Sequence, residues 1–247
     1  MPRTLGFMTL HYGKEYLKES LLSIKGSVDK MVISYVRYPS HGTGTNIPCP
    51  DEERYMKDIA QEVFGDDLIW SHNVMFSNEA EHRAERYRYA DGYDLILTID
   101  ADEVLVSDEI ERALKYAYLN HERYYGIKGY VNLWRSFDYA CYDGFRPIRI
   151  ENLKNKNQLQ NLECPLTIFH FSTCQSESIM RYKYKVFGHA SEVRENWLDE
   201  IYYKWTPNNQ FKDVHCVAFG IWNPQPIDKN HFPESLKKHP NFNKILV

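Results

Sequence analysis

The stretch Tyr93–Leu105, YDLILTIDADEVL, limits what this chain can fold into more than any other. Its short apolar run, rich in Leu and Ile, reads as a buried strand. It ends in Asp100, Asp102 and Glu103, three carboxylates within four residues. Such charges repel one another unless something cationic lies between them. Two aspartates at i and i+2 just past a strand point to one side, and ligands of open parallel sheets bind beyond the carboxyl ends of the strands. A strand-edge site with a cation is therefore expected here.

The preceding segments supply the rest of such a sheet. RTLGFMTLHYG and KMVISYVRY read as strands, with a helix over 14–29 between them. Asp51 to Phe64 is helical in pattern, DLIWSH is a short strand, and SNEAEHRAERYRYA is a helix that Ser77 or Asn78 can cap. This alternation predicts a βαβ rhythm. After the helix SDEIERALKYAYLN, with Ser107 as its expected cap, YYGIKGYVNLWRSF and GFRPIRIENL suit antiparallel strands. SESIMRYKYKVFGH and SEVRENWLDEIYYKW are expected to be helices, and the tail from Asn223 irregular. A change of texture near Asp102 divides one compact domain into halves over 1–103 and 104–247.

Three metal or nucleophile motifs compete for the triplet. An EF-hand beginning at Asp100 needs an oxygen ligand and then Gly at its fifth and sixth positions, where Val104 and Leu105 stand. A haloacid-dehalogenase-like phosphatase would use Asp100 as nucleophile and Asp102 as acid/base. It also needs a downstream acidic pair, whereas Asp66-Asp67 lies upstream. A D-x-D site for Mn²⁺ or Mg²⁺, hard cations that keep places for phosphate oxygens and water, is the third. The bland alternative is an exposed acidic turn.

LGFMTLHYGKEYLKESLLSIKGSVDKMVISYV, followed by an Arg-bearing helix and GYDLILTIDADEVL, resembles the donor-binding half of family 2-like nucleotide-sugar glycosyltransferases. The resemblance covers roughly Leu5 to Leu105. It implies the A-type fold: a Rossmann-like, mostly parallel sheet flanked by helices, joined to a mixed acceptor half. It further implies transfer from a nucleoside-diphosphate sugar, a UDP-sugar by expectation, to a hydroxyl. Asp102 would bind the metal, and Asp100 would face the ribose or a metal-bound water. Thr9, His11 and Tyr12 would hold base and ribose, and His170, at the end of LTIFHF, would be the third metal ligand, with His189 as runner-up. Arg83 would face the pyrophosphate, and Lys185 of the RYKYK run would clamp it. The acidic residue usual after the second strand is missing from ISYVRYPS. The base is left open among Asp138, Asp143 and Glu192.

Charge bears on the acceptor. The net charge of -4 gives no global basic field, yet Tyr124 to His189 holds nine Lys/Arg against five Asp/Glu. Such an excess suits an anionic partner, and the resemblance extends to bacteriophage transferases that modify hydroxymethylated pyrimidines in DNA. Tyr130, Trp134 or Tyr139 would then hold the extruded base. Surface-polysaccharide synthesis is the other acceptor reading, and a noncatalytic sugar-binding module the rival from another class. Five scattered Cys without a C-x-x-C pair argue against a disulfide framework. With no apolar segment of signal or membrane-span length, the expectation is a cytoplasmic protein, in the host cytoplasm if viral. Oligomeric state is not legible.

Overall fold

A computed structural model describes residues 2–40, 46–142, 144–155, 161–186, 188–209, 211, 213–217 and 222–244. The chain begins with β1 (Thr4–Leu10), α1 (Leu17–Ile24), β2 (Lys30–Val36), α2 (Glu53–Phe64) and β3 (Leu68–Asn73). Then come α3 (Glu79–Ala84), β4 (Leu95–Thr98), β5 (Glu103–Leu105) and α4 (Ser107–Leu119). The second half holds β6 (Tyr124–Trp134), β7 (Tyr139–Cys141), β8 (Ile148–Asn152), β9 (Asn161–Thr173), α5 (Glu177–Val186), β10 (Gln225–Pro226) and α6 (Glu234–Lys237).

These strands make one mixed sheet in the order β10-β7-β6-β8-β4-β1-β2-β3, with β9 paired to β5 and β6. β1, β2, β3 and β4 run parallel, so their carboxyl ends open on one edge. Burial explains their composition. Met8, Leu10, Met31 and Ile33 pack with α1, α2 and α4 on one face, while Leu5, Phe7, Val32 and Ile96 meet Tyr89 and Tyr93 on the other. Strands covered on both faces are apolar throughout. No helix among the described residues is long and apolar enough to cross a membrane.

Several sequence expectations need correction. Asn78 caps α3, its side chain accepting from Glu81 N at 2.8 Å, but Ser107 caps nothing. Val106 holds the cap position of α4, and the Ser107 hydroxyl donates to Ser23 O. β6 and β8 pair antiparallel as expected, while β9, between β6 and β5, runs parallel to β6. The helix expected over 191–205 reduces to a 3-10 turn, Ala190–Glu192, and one π turn, Leu198–Tyr202. Trp197, Tyr202 and Trp205 all pack around Trp134. A five-residue step from 197 to 202 suits the wider turn closed by Tyr203 N to Leu198 O.

Candidate active site

At the carboxyl edge of the parallel strands lies a cleft of about 530 Å³. Thr9, His11, Tyr12, Arg83, Asp100, Asp102 and His170 all line it, together with Tyr130, Arg149, Ser172, Gln175 and Lys183. The loop after β1 approaches the acidic triplet closely. Gly13 has φ +128°, and a Cβ there would stand 2.9 Å from Ala101 Cβ. Asp51 holds this loop by accepting from Gly13 N and Lys14 N at 2.9 and 3.2 Å.

The cation among the carboxylates is a guanidinium of the chain itself. Arg149 on β8 donates from Nη2 to Asp100 Oδ2 at 2.6 Å and from Nε to Glu103 Oε2 at 2.8 Å. Burial works against charge on Arg149, but the two carboxylates hold its pKa above the ordinary arginine value. Burial likewise pushes Asp100 up, yet Arg149 and Arg83 keep it below the usual carboxylate range. Glu103 is fully buried. Desolvation, only partly offset by Arg149, raises its pKa to about 7. Glu103 is thus an internal strut, also accepting from Tyr130 Oη at 3.1 Å.

Asp102 has a different setting. Its Oδ1 faces His170 Nε2 at 3.8 Å, while its Oδ2 accepts from Gln175 Nε2 at 3.2 Å and lies 3.9 Å from Lys183 Nζ. Strand register brings these groups together: Glu103 pairs with His170 across β5 and β9, and Asn132 with His170 across β6 and β9. Asn132 Oδ1 accepts from His170 Nδ1 at 2.8 Å, which leaves Nε2 as the lone-pair nitrogen. Burial lowers the His170 pKa to about 4, so the ring is neutral near pH 7. Tyr130 stacks on it with centroids 5.0 Å apart.

Asp102 and His170 therefore fit two positions around a hard divalent ion. Their 3.8 Å gap is too wide for a hydrogen bond. It leaves room for a shared ion about 2.1 Å from each. No group of three or more His, Cys, Asp and Glu among the described residues could hold an ion, so substrate oxygens and water would complete the shell. Asp100, committed to Arg149 and 4.0 Å from Arg83 Nη1, is not placed as a direct ligand.

The remaining candidates scatter. Lys185 is exposed and lies outside the cleft lining, whereas Lys183, two residues earlier, lines it with its ammonium on Ser172 O and Oγ at 3.0 and 2.5 Å. Burial lowers the Lys183 pKa, with Asp102 opposing. Asp138 is paired with Lys229 at 2.7 Å, away from the cleft. Asp143 lies outside the described residues. Glu192 faces a neighbouring cavity and accepts from His189 Nδ1 at 3.0 Å. Arg86 turns to Glu151 instead of the cleft.

Among the described residues, several cations of the positive excess after Tyr124 are engaged within the protein. Arg135 is buried with its guanidinium on Tyr203 O and Trp205 O, Arg146 pairs with Glu163, and Arg149 and Lys183 are buried in the cleft wall. Trp134 is fully buried and Tyr139 packs on Trp205, which leaves Tyr130 as the one of the three that lines the cleft. In the sequence Arg149 counts only among the cations of the acceptor half, and its pairing with the acidic triplet is not legible there. Its signal was a charged residue alternating with Ile148 and Ile150 in a strand, a pattern that names neither partner.

No family model matches the chain, and no curated protein does. Among solved structures, S. aureus TarS is similar at 17% identity and TM-score 0.37, over 51% of this chain and 21% of that one. TarS 1-349 in complex with UDP gives 16% and 0.39, over 53% and 36%. TarS 1-349 alone gives 15% and 0.42, over 61% and 47%. The chain spans less than half the length of these structures. A likeness at these scores concerns part of the backbone course and assigns no activity.

Proposed function

We propose that the chain is a glycosyltransferase of the A-type fold, moving a sugar from a nucleoside-diphosphate donor, a UDP-sugar, to an acceptor hydroxyl, with Mn²⁺ or Mg²⁺ bound. The observation that carries this reading is the assembly, in one strand-edge cleft, of Asp102 facing a neutral His170 beside Arg83, Arg149 and Lys183. Such a cleft suits an anionic diphosphate together with a divalent ion. Asp102 and His170 would hold the ion, which when bound neutralises the charge growing on the leaving phosphate.

The chain's other groups have separate tasks. Arg83 and Lys183, which both line the cleft, neutralise diphosphate oxygens. Arg149 fixes the Asp100 carboxylate toward the ribose. Thr9, His11 and Tyr12 form the corner for base and ribose, with Tyr182 Oη bonded to His11 Nε2 at 2.5 Å. A phosphatase acting through Asp100 is disfavoured, since that carboxylate is tied to Arg149 and Asp66-Asp67 sits before β3, at the opposite end of the parallel strands.

The test is a thermal-shift screen of UDP-sugars with and without Mn²⁺, on the wild-type chain and on Asp102→Asn. A donor at ~100 times its dissociation constant should stabilise by ~2.7 kcal/mol. The Mn²⁺-dependent part of that shift, and UDP release, should vanish in the variant while its fold is kept. Wild-type turnover by Asp102→Asn would sink the metal assignment, and binding without any UDP release would favour a noncatalytic module.

A further inference from the structure

A second cavity, of about 370 Å³, opens off the first. The two share Tyr130, Phe145, His170, Ser172 and Lys183. A molecule in one cavity therefore meets a molecule in the other across His170 and Lys183, the side chains that flank Asp102. Beyond this shared wall the character changes. Tyr184, Trp197 and Trp222 supply aromatic surface, with Asn132 and Thr173 on strands β6 and β9. Phe145 stands 59% exposed where the cavities join and packs edge-on to Tyr130.

Charge separates the two spaces. The first carries Arg83, Arg149 and Lys183. Among the described residues no arginine lines the second, where Lys183 and Glu192 offset each other. An anionic ligand belongs in the first cavity and an uncharged one in the second. Aromatic faces next to hydroxyl and amide groups suit a sugar ring, which has apolar C–H faces and a polar hydroxyl edge.

One pair on this cavity can move a proton. Glu192 N donates to His189 O at 2.8 Å, so a single tight turn presents both side chains, and His189 Nδ1 is 3.0 Å from Glu192 Oε1. With Nδ1–H donating to the carboxylate, Nε2 is the basic atom. Among the described residues, the other titratable groups facing the cavity are Tyr130 of β6, Lys183 and Tyr184 of α5, His170 of β9, and His215 and Cys216 of the 213–217 segment. Lys183 is committed to Ser172, and His170 to Asn132.

We propose that the second cavity binds the acceptor, an uncharged, hydroxyl-bearing carbohydrate ring, and that His189, oriented by Glu192, takes the proton of the attacking hydroxyl. This rests on the sugar-transfer reading above. The acceptor oxygen bonds to the donor's anomeric carbon as that carbon's bond to the diphosphate oxygen breaks. The electron pair of the broken bond leaves with the nucleoside diphosphate, and the hydroxyl proton ends on His189 Nε2.

The experiment uses the full chain with Mn²⁺, UDP-sugars and a panel of methyl and aryl glycosides. Donor affinity is measured by calorimetry, and transfer kinetics across pH for wild type, His189→Gln, Glu192→Gln and Val217→Trp. His189→Gln should keep donor affinity, lose ~10²–10⁴-fold in kcat and lose the acidic limb of the kcat/KM profile. Glu192→Gln should keep that limb at a shifted pH with a smaller loss. Val217→Trp, which fills the second cavity alone, should raise KM for the glycoside and leave donor affinity unchanged. Transfer by His189→Gln with wild-type kcat and pH profile overturns the proposal, as does transfer to hydroxymethylated DNA with none to any glycoside. Failure of the wild-type chain to bind or cleave any UDP-sugar overturns the transfer reading, and this proposal with it.

Discussion

Glu103, Arg149 and Asp100 form a chain of paired groups in which buried Arg149 is the middle member, between buried Glu103 and half-buried Asp100. Removing the middle of such a chain leaves the buried Glu103 carboxyl without its cation, beside Asp100. Arg149→Met should therefore cost about 3–5 kcal/mol in denaturant unfolding, and an undiminished midpoint would show that the pairing contributes nothing. Arg149→Lys should recover only part, because one ammonium cannot reproduce the forked contacts of a guanidinium. His170 tests the other half of the site. His170→Ala should raise the Mn²⁺ concentration for half-maximal UDP release by about 10-fold or more, as expected for a lost ligand, and His189→Ala should leave it alone. Equal small effects from both would return His170 to a packing role.

At the scale of elements, His215 and Trp222, which line the second cavity, are both held by Asp213. Its carboxylate accepts from His215 N at 3.0 Å and Trp222 N at 2.9 Å and pairs with Arg194. Burial raises its pKa, but those backbone donors and Arg194 hold it below the ordinary aspartate value of 3.8. A depressed carboxylate contributes stability that is present in full above 3.8 and is lost as pH falls through the folded-state value. Asp213→Ala should cost roughly 1–3 kcal/mol at neutral pH. The gap to wild type should narrow on acidification below pH 4, and a gap independent of pH would contradict the assignment. The same elements show why local pattern failed over 191–205. Helical spacing was present, but Asn196 at φ +53° and the Val193–Val217 bridge bend the chain so that its aromatic residues enclose Trp134.

Over the whole molecule, several cations that looked like a positive face in the sequence have internal partners: Arg135, Arg149 and Lys183 are buried. A protein with six to ten phosphate contacts loses about 10³–10⁵ in affinity between 50 and 200 mM salt. Transfer by this chain to a neutral glycoside should change by less than about twofold over that range, as followed by UDP release. A steep loss would mean that the acceptor is polyanionic and that Lys185 and its exposed neighbours bind it.

The sequence alone determined the parallel half. Period, apolar runs and the i, i+2 spacing of Asp100 and Asp102 are properties of neighbours along the chain, and they sufficed to put a site at the carboxyl edge, while Thr9, His11, Tyr12 and Arg83 came from the family resemblance and line the same cleft. Tertiary structure decided which charges answer one another. Arg149 is 49 residues from Asp100, and His170 is 38 from Asn132, which fixes its tautomer. Lys183 and not Lys185 enters the cleft because α5 presents the former inward, where Ser172 satisfies it. Those pairings depend on strand register between distant segments, which sequence periodicity constrains by face but not by partner.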